Sequence, residues 1–174
     1  CMKQTDFASH DGKRIALYTW DDVVEPKAVV KIAHGMVEHS ARYDDFAKFL
    51  NSRGYIVVMN DHRGHGLTAE EGSLGYEDGD MFTNNVNDQL TLINYCREKY
   101  NLPVFMMGHS YGSFVTQAVV EQHPDVKGFV LVGSNYIKGV AYSVCKTVAR
   151  SMCRNKGPRH EAVFIADLSF KPYD

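Results

Sequence analysis

A serine hydroxyl becomes a useful nucleophile when it is held clear of the backbone beside a base, and one stretch of this 174-residue chain has the residues for that. Gly108-His109-Ser110-Tyr111-Gly112 follows the apolar run Pro103-Val104-Phe105-Met106-Met107 and opens a helical stretch from Tyr111 to His123. A sharp strand-to-helix turn would force Ser110 into strained φ/ψ, and Gly108 and Gly112, two residues to either side, leave room for it. With this glycine and serine content a bare G-x-S-x-G arises by chance roughly once in sixteen such sequences, so its force comes from the strand before it and the helix after it. The alternative is an ordinary helix-start serine capping residues 111–123, and the nucleophile is the leading reading. The backbone N–H of Tyr111, directly after that nucleophile, is then a donor for the oxyanion of the transition state; each such donor contributes about 10²–10³ in rate.

Two other strand-length runs end in residues of the same character. Val29-Val30-Lys31-Ile32-Ala33 leads into His34-Gly35-Met36-Val37-Glu38-His39-Ser40, a turn that can aim a backbone N–H at a developing oxyanion. Tyr55-Ile56-Val57-Val58-Met59 ends in Asn60-Asp61-His62-Arg63-Gly64-His65-Gly66. Order and spacing of these three segments resemble the monoacylglycerol lipase and lysophospholipase group of α/β-hydrolases, and the later Asp167-Leu168-Ser169-Phe170 resembles part of that group's cap. Two departures are visible: Ser113 stands where the group often has glycine, and Leu67-Thr68 stands where serine usually follows the Arg-Gly-His-Gly turn.

The resemblance implies an α/β-hydrolase three-layer sandwich, with a mostly parallel sheet and an amino-terminal hairpin. It implies a core over residues 1–136 and a partial helical cap over 137–174. It also assigns the second oxyanion donor to the N–H of Met36, and to the Asp61–Gly66 turn the bracing of the active-site floor rather than a metal or phosphate site. No metal and no cofactor are expected. His34 is expected to shape its turn without transferring protons, Glu38 and Arg42 to form a local ion pair, and His109 to pack away from Ser110.

The group's triad runs Ser, then Asp or Glu, then His, on loops after later strands. After Ser110 this chain has only His123 and His160; His123 ends the helix behind the elbow, at the far edge of the sheet, with Asp125, while His160, Asp167 and Asp174 fall in the cap. None suits the role, so the triad is expected to be incomplete here, its acid and base and the last strands lying in sequence beyond this chain. Strand 126–132 would then be an apolar edge with one lysine and no proline, expected to pair with a missing carboxyl-terminal half or with a second copy.

The elements that must position these residues read as a hairpin and then an alternation. Lys3–Ala8 and Arg14–Trp20 flank a tight turn at Asp11-Gly12; strands 29–33, 55–59, 103–107 and 126–132 then alternate with helices near 42–53, 81–100 and 111–123. After Ser134 an apolar stripe, Val140, Val144, Val148 and Met152 among it, predicts a helix from about Ile137 to Arg154, with Lys146, Arg150 and Arg154 on another face. Residues 1–137 carry a formal charge of −6 and residues 138–174 one of +4, so the cap segment is a basic amphipathic insertion; its basic side is read first as a solvated face over a helix packed on the cleft, and second as a surface for transient membrane contact.

At 44% hydrophobic and 23% charged the composition is that of an ordinary globular domain, and a net charge of −2 gives no reason to expect nucleic acid. No apolar run approaches 18 residues and no leader is visible, which suggests a cytoplasmic protein. Cys1, Cys96, Cys145 and Cys153 show no metal-ligand spacing and read as reduced thiols. Hydrolysis of a carboxylic ester through an acyl-enzyme on Ser110 is the leading function, with monoacylglycerol or lysophospholipid as the substrate that the resemblance implies. The alternatives are a serine aminopeptidase of related fold, against which the basic cap argues, and a non-catalytic binding module on the same fold.

Overall fold

Short β-branched runs punctuated by glycine and proline make the strands, and longer stretches with apolar residues on one face make the helices between them. A computed structural model describes residues 1–122, 124–136 and 140–157. Its strands are β1 (Lys3–Ala8), β2 (Arg14–Trp20), β3 (Ala28–Ala33), β4 (Tyr55–Asn60), β5 (Val104–His109) and β6 (Gly128–Val132). Its helices are α1 (Asp44–Ser52), α2 (Met81–Tyr100), α3 (Tyr111–Val120) and α4 (Val140–Lys156), with one 3₁₀ turn over Ser40–Tyr43 before α1. Two compact units result, residues 1–134 and 135–174.

In the first unit the six strands form one sheet in the order β1-β2-β4-β3-β5-β6. The hairpin β1-β2 pairs antiparallel in the expected register, Lys3 opposite Thr19, and β2 joins β4 antiparallel. From β4 through β3 and β5 to β6 every pairing is parallel. Strand β2 is buried on both faces rather than alternating, because it lies between β1 and β4 with side chains packed above and below it.

One face of the sheet packs Trp20, Ile32, Val57 and Met59 against Ala47 and Leu50 of α1. The other packs Val29, Val58 and Val104 against Leu92 and Cys96 of α2, and Met106 against Val115 and Val119 of α3. Helix α2 starts where Asp80 accepts the Thr83 N–H at 3.1 Å and stops where Asn101 turns left-handed at φ 50°. Burial of Cys96 in this layer pushes its thiol up to about 12, the setting of an inert core cysteine.

Polar side chains also enter this layer. Lys31 of β3 is wholly buried, and its Nζ reaches the Ile32 carbonyl at 3.1 Å, Asn60 Oδ1 at 3.0 Å and Gln89 Oε1 at 2.5 Å. Burial pushes its pKa down to about 7, while three acceptors in place of water match the three N–H donors of the ammonium form.

Strand β6 closes the sheet order at an edge. Phe129, Val130 and Val132 are 49%, 55% and 38% exposed, so both faces of this strand are open. In the second unit α4 ends before Gly157, which turns left-handed at φ 88°. Val144 and Val148 are exposed along it, as are Lys146, Arg150 and Arg154. Among the described residues no helix is long and apolar enough to cross a membrane.

Candidate active site

The carboxyl ends of parallel strands collect loops at one rim of a sheet, and three of the loops singled out above meet at the ends of β3, β4 and β5. Ser110 sits between β5 and α3 at φ 50°, ψ −116°, a conformation that a non-glycine residue holds only under constraint. Two constraints are visible. Its N–H donates to the Val132 carbonyl at 2.9 Å, tying the turn to β6, and the flanking glycines let α3 come close to the sheet. A Cβ on Gly112 would collide with the Ala33 carbonyl, and one on Gly108 with the Gly112 carbonyl and Thr116. Ser113, the departure at the family's glycine, places its hydroxyl 2.6 Å from the Ser110 carbonyl.

The turn after β3 is fixed through its histidine. His34 is fully buried; its Nε2 accepts the His62 N–H at 2.9 Å, so Nδ1 carries the proton and donates to the Gly35 carbonyl at 2.6 Å. His62 returns the contact, donating from Nε2 to the His34 carbonyl at 3.0 Å. Burial pushes His34 down to about 4 and His62 well below its ordinary value, so both rings are neutral struts. His34 therefore shapes the turn, as the sequence suggested.

The Asp61–Gly66 turn is held from several sides. Asp61 accepts the Ser40 N–H at 2.7 Å, the Leu67 N–H at 2.9 Å and the Tyr18 hydroxyl at 3.0 Å. Arg63 is 1% exposed, and its guanidinium forks onto Asp88 at 2.9 and 3.0 Å and onto Asp11 at 2.5 and 2.9 Å. Four of its five N–H donors go to these two carboxylates, and the fifth is on Nη1, 3.8 Å from Glu77, so the cation is held by acidic partners and braces the turn. Thr68, the second departure, accepts the Ala16 N–H at 3.0 Å and donates to the Asp61 carbonyl at 2.8 Å.

An open cleft of about 300 Å³ is lined by Glu38, Arg42, Tyr43, Phe46, Met107 and His109, the residue before Ser110 in the chain. Glu38 is its hub. The Oε1 atom accepts the Gly35 N–H, the Tyr43 hydroxyl at 2.9 Å and His109 Nδ1 at 3.0 Å, and Arg42 lies 3.7 Å from Oε2. Burial pushes its carboxyl up, but the hydrogen bonds from His109, Gly35 and Tyr43 outweigh that and hold it below its ordinary range. The ion pair with Arg42 was legible from their spacing. His109 is less packed than expected: its side chain is 42% exposed and pairs with Glu38 across the cleft, because at the end of β5 it projects toward the loop after β3.

Met36 follows Gly35 and is 47% exposed. Among the described residues neither its N–H nor that of Tyr111 has an acceptor. The Tyr111 side chain turns inward, its ring edge-on to His62 at 5.5 Å and its hydroxyl accepting from Asn85 at 3.1 Å. Val37 is held at φ 61° while 75% exposed, a conformation that costs a β-branched residue about 1–3 kcal/mol.

Asp125 lies at the opposite end of the sheet from Ser110, just before β6, in ion pairs with Arg97 at 2.6 Å and Lys127 at 3.6 Å. His123, His160, Asp167 and Asp174 lie outside the described residues. The network of buried Ser9, Asp88 and Arg63 with exposed Asp11 was not foreseen from the sequence, nor was the trio of Lys31, Asn60 and Gln89. One signal pointed to both: Asn85, Asp88 and Gln89 fall at helical spacing on the stripe of α2 that also carries Leu92 and Cys96.

A monoglyceride lipase homolog of monkeypox virus is 34% identical over 67% of this chain and 41% of its own length. The human monoglyceride lipase is 32% identical over 70% of this chain and 40% of its own length. This chain thus spans about two fifths of the length of such relatives. Among solved structures, a thermostable carboxyl esterase from Bacillus coagulans, in complex with glycerol, superposes with a TM-score of 0.79 at 27% identity, over 96% of this chain and 55% of that one. The pattern of the serine aminopeptidase S33 family matches residues 24–163, most of the chain. With the strained serine, the glycine pair and the mostly parallel sheet, this match means that the chain belongs to the serine aminopeptidase S33 family, on the monoacylglycerol lipase-like branch of the α/β-hydrolases.

Proposed function

We propose that this chain is the nucleophile-bearing portion of a serine ester hydrolase. Ser110 attacks the carbonyl carbon of a carboxylic ester, the alcohol leaves, and water releases the acid from the acyl-enzyme. A histidine and a carboxylate supplied by sequence beyond this chain take and return the proton. The N–H groups of Met36 and Tyr111 receive the oxyanion. The observation that carries this reading is the backbone of Ser110, strained at the junction of β5 and α3.

For the substrate, the cleft supports a lipid ester with a small hydroxylated head, a monoacylglycerol or lysophospholipid. Arg42, Tyr43 and His109 present polar groups beside Phe46 and Met107, a lining that suits an alcohol next to an alkyl chain. The glycerol complex of the related esterase and the relatives' lipase names point the same way. The family's name raises aminopeptidase chemistry, which needs a free carboxylate for the substrate ammonium. Glu38 does not suit that role, since its carboxylate already takes three hydrogen bonds and Arg42 stands beside it.

The test is labelling of the full-length protein with a fluorophosphonate probe, followed by peptide mapping. Label on Ser110, and its loss in Ser110→Ala together with several orders of magnitude in turnover of a short-chain p-nitrophenyl ester, is the expected result. An alanine variant that retains more than a few per cent of the activity would mean another nucleophile, and no labelling at all would favour a non-catalytic binding module.

A further inference from the structure

The turn between β3 and the 3₁₀ segment holds a residue that should resist the conformation it adopts. Val37 is β-branched, sits at φ 61° and is largely exposed, so packing does not hold it there. A glycine would adopt that φ freely; valine would relax toward the extended region if released. What opposes the relaxation is the next residue. Glu38 folds back over the turn to accept the Gly35 N–H, and the same oxygen takes the Tyr43 hydroxyl and His109 Nδ1, so one carboxylate ties the turn to the 3₁₀ segment and to the end of β5. The closed turn is pressed against the serine: a Cβ on Gly35 would lie 2.6 Å from Glu38 Oε1, 3.2 Å from His109 Nδ1 and 3.3 Å from Ser110 Cβ.

We propose that Glu38 is a positioning residue, a clamp that holds the 34–38 turn against the strain of Val37 and thereby keeps the Met36 N–H aimed at the oxyanion formed on Ser110. This rests on the reading of Ser110 as nucleophile. Glu38 exchanges no proton and touches no reacting atom in this role. When the clamp is removed Val37 turns back to its preferred region, and Met36, one residue before it, turns away.

A double-mutant cycle with two readouts tests this, using the full-length protein, Val37→Gly, Glu38→Ala and the pair. In urea unfolding, Val37→Gly is expected to raise the midpoint when Glu38 is present, where it relieves strain. In the Glu38→Ala background, where the strain is already gone, it is expected to leave the midpoint unchanged or lower it. In fluorophosphonate labelling, Glu38→Ala is expected to slow the rate by a factor of about 10²–10³, the usual cost of a misplaced oxyanion donor. The double variant should recover at least tenfold of that, since a glycine no longer pulls the turn open. Equal midpoint shifts from Val37→Gly in the two backgrounds would overturn the proposal, whatever the labelling rates. Wild-type protein that fails to label on Ser110 while the midpoints remain coupled would count against the nucleophile and leave the clamp standing. Should Glu38→Ala not fold, Glu38→Gln, which keeps volume and an acceptor but not the charge, enters the same cycle with a smaller coupling of the same sign.

Discussion

A buried histidine that stays neutral is a liability in acid, and His34 makes that measurable. Its ordinary pKa is 6.5 and burial takes it to about 4 in the folded protein. Between those values the unfolded chain takes up a proton that the folded one refuses, so stability falls as pH drops from about 6.5 toward 4. His62 acts in the same direction, whereas Glu38, with its carboxyl held low, adds its own loss only below about 4.5. Urea unfolding at several pH values should show this decline, and in His34→Gln the slope should be shallower by up to one proton. An unchanged slope would mean that His34 is not the group refusing the proton. At this scale the sequence was most legible where partners are close in the chain, as with Glu38 and Arg42, or where a motif dictates backbone, as at Ser110. It was silent on His109 with Glu38 and on Lys31 with Gln89, because such pairs are brought together only by the register of strands far apart in sequence.

Elements were legible to within a few residues, and their misplaced ends have local causes. Helix α1 starts at Asp44 instead of near Arg42 because Ser40–Tyr43 winds as a 3₁₀ turn while the Ser40 N–H is held by Asp61. Helix α3 ends at Val120, short of the expected His123, and Glu121 and Gln122 close the turn before Pro124. For α4 the amphipathic pattern gives a prediction of its own. With Val144 and Val148 on an apolar stripe and Lys146, Arg150 and Arg154 on another face, we propose that this helix settles on anionic lipid. Sedimentation of the protein with anionic vesicles should show binding at low salt that weakens at high salt, and neutral vesicles should bind less. Binding indifferent to ionic strength, or none, would leave α4 a solvated helix.

On the scale of the whole molecule the decisive feature is the open side of β6. An apolar edge strand with both faces exposed draws partners. We propose that β6 pairs with a strand from a carboxyl-terminal half of the polypeptide or with β6 of a second copy. Intact-mass and light-scattering measurements should find a longer chain, a companion fragment or a dimer; a stable monodisperse monomer of 174 residues with β6 free would refute this. The sheet order was inferable from alternation only as far as parallel pairing, since which neighbour each strand takes is a property of the assembled sheet. The order also sets a sequence in time. As the chain leaves the ribosome, β5 can add to β3 at once, but the Ser110 N–H finds its acceptor, the Val132 carbonyl, only when β6 has been made. At ribosomal rates that is a delay on the order of a second or a few, during which the serine has its strand and its helix but not yet that hydrogen bond. Until its sixth strand is in place, a nascent chain would therefore present Ser110 without the tie that the Val132 carbonyl supplies.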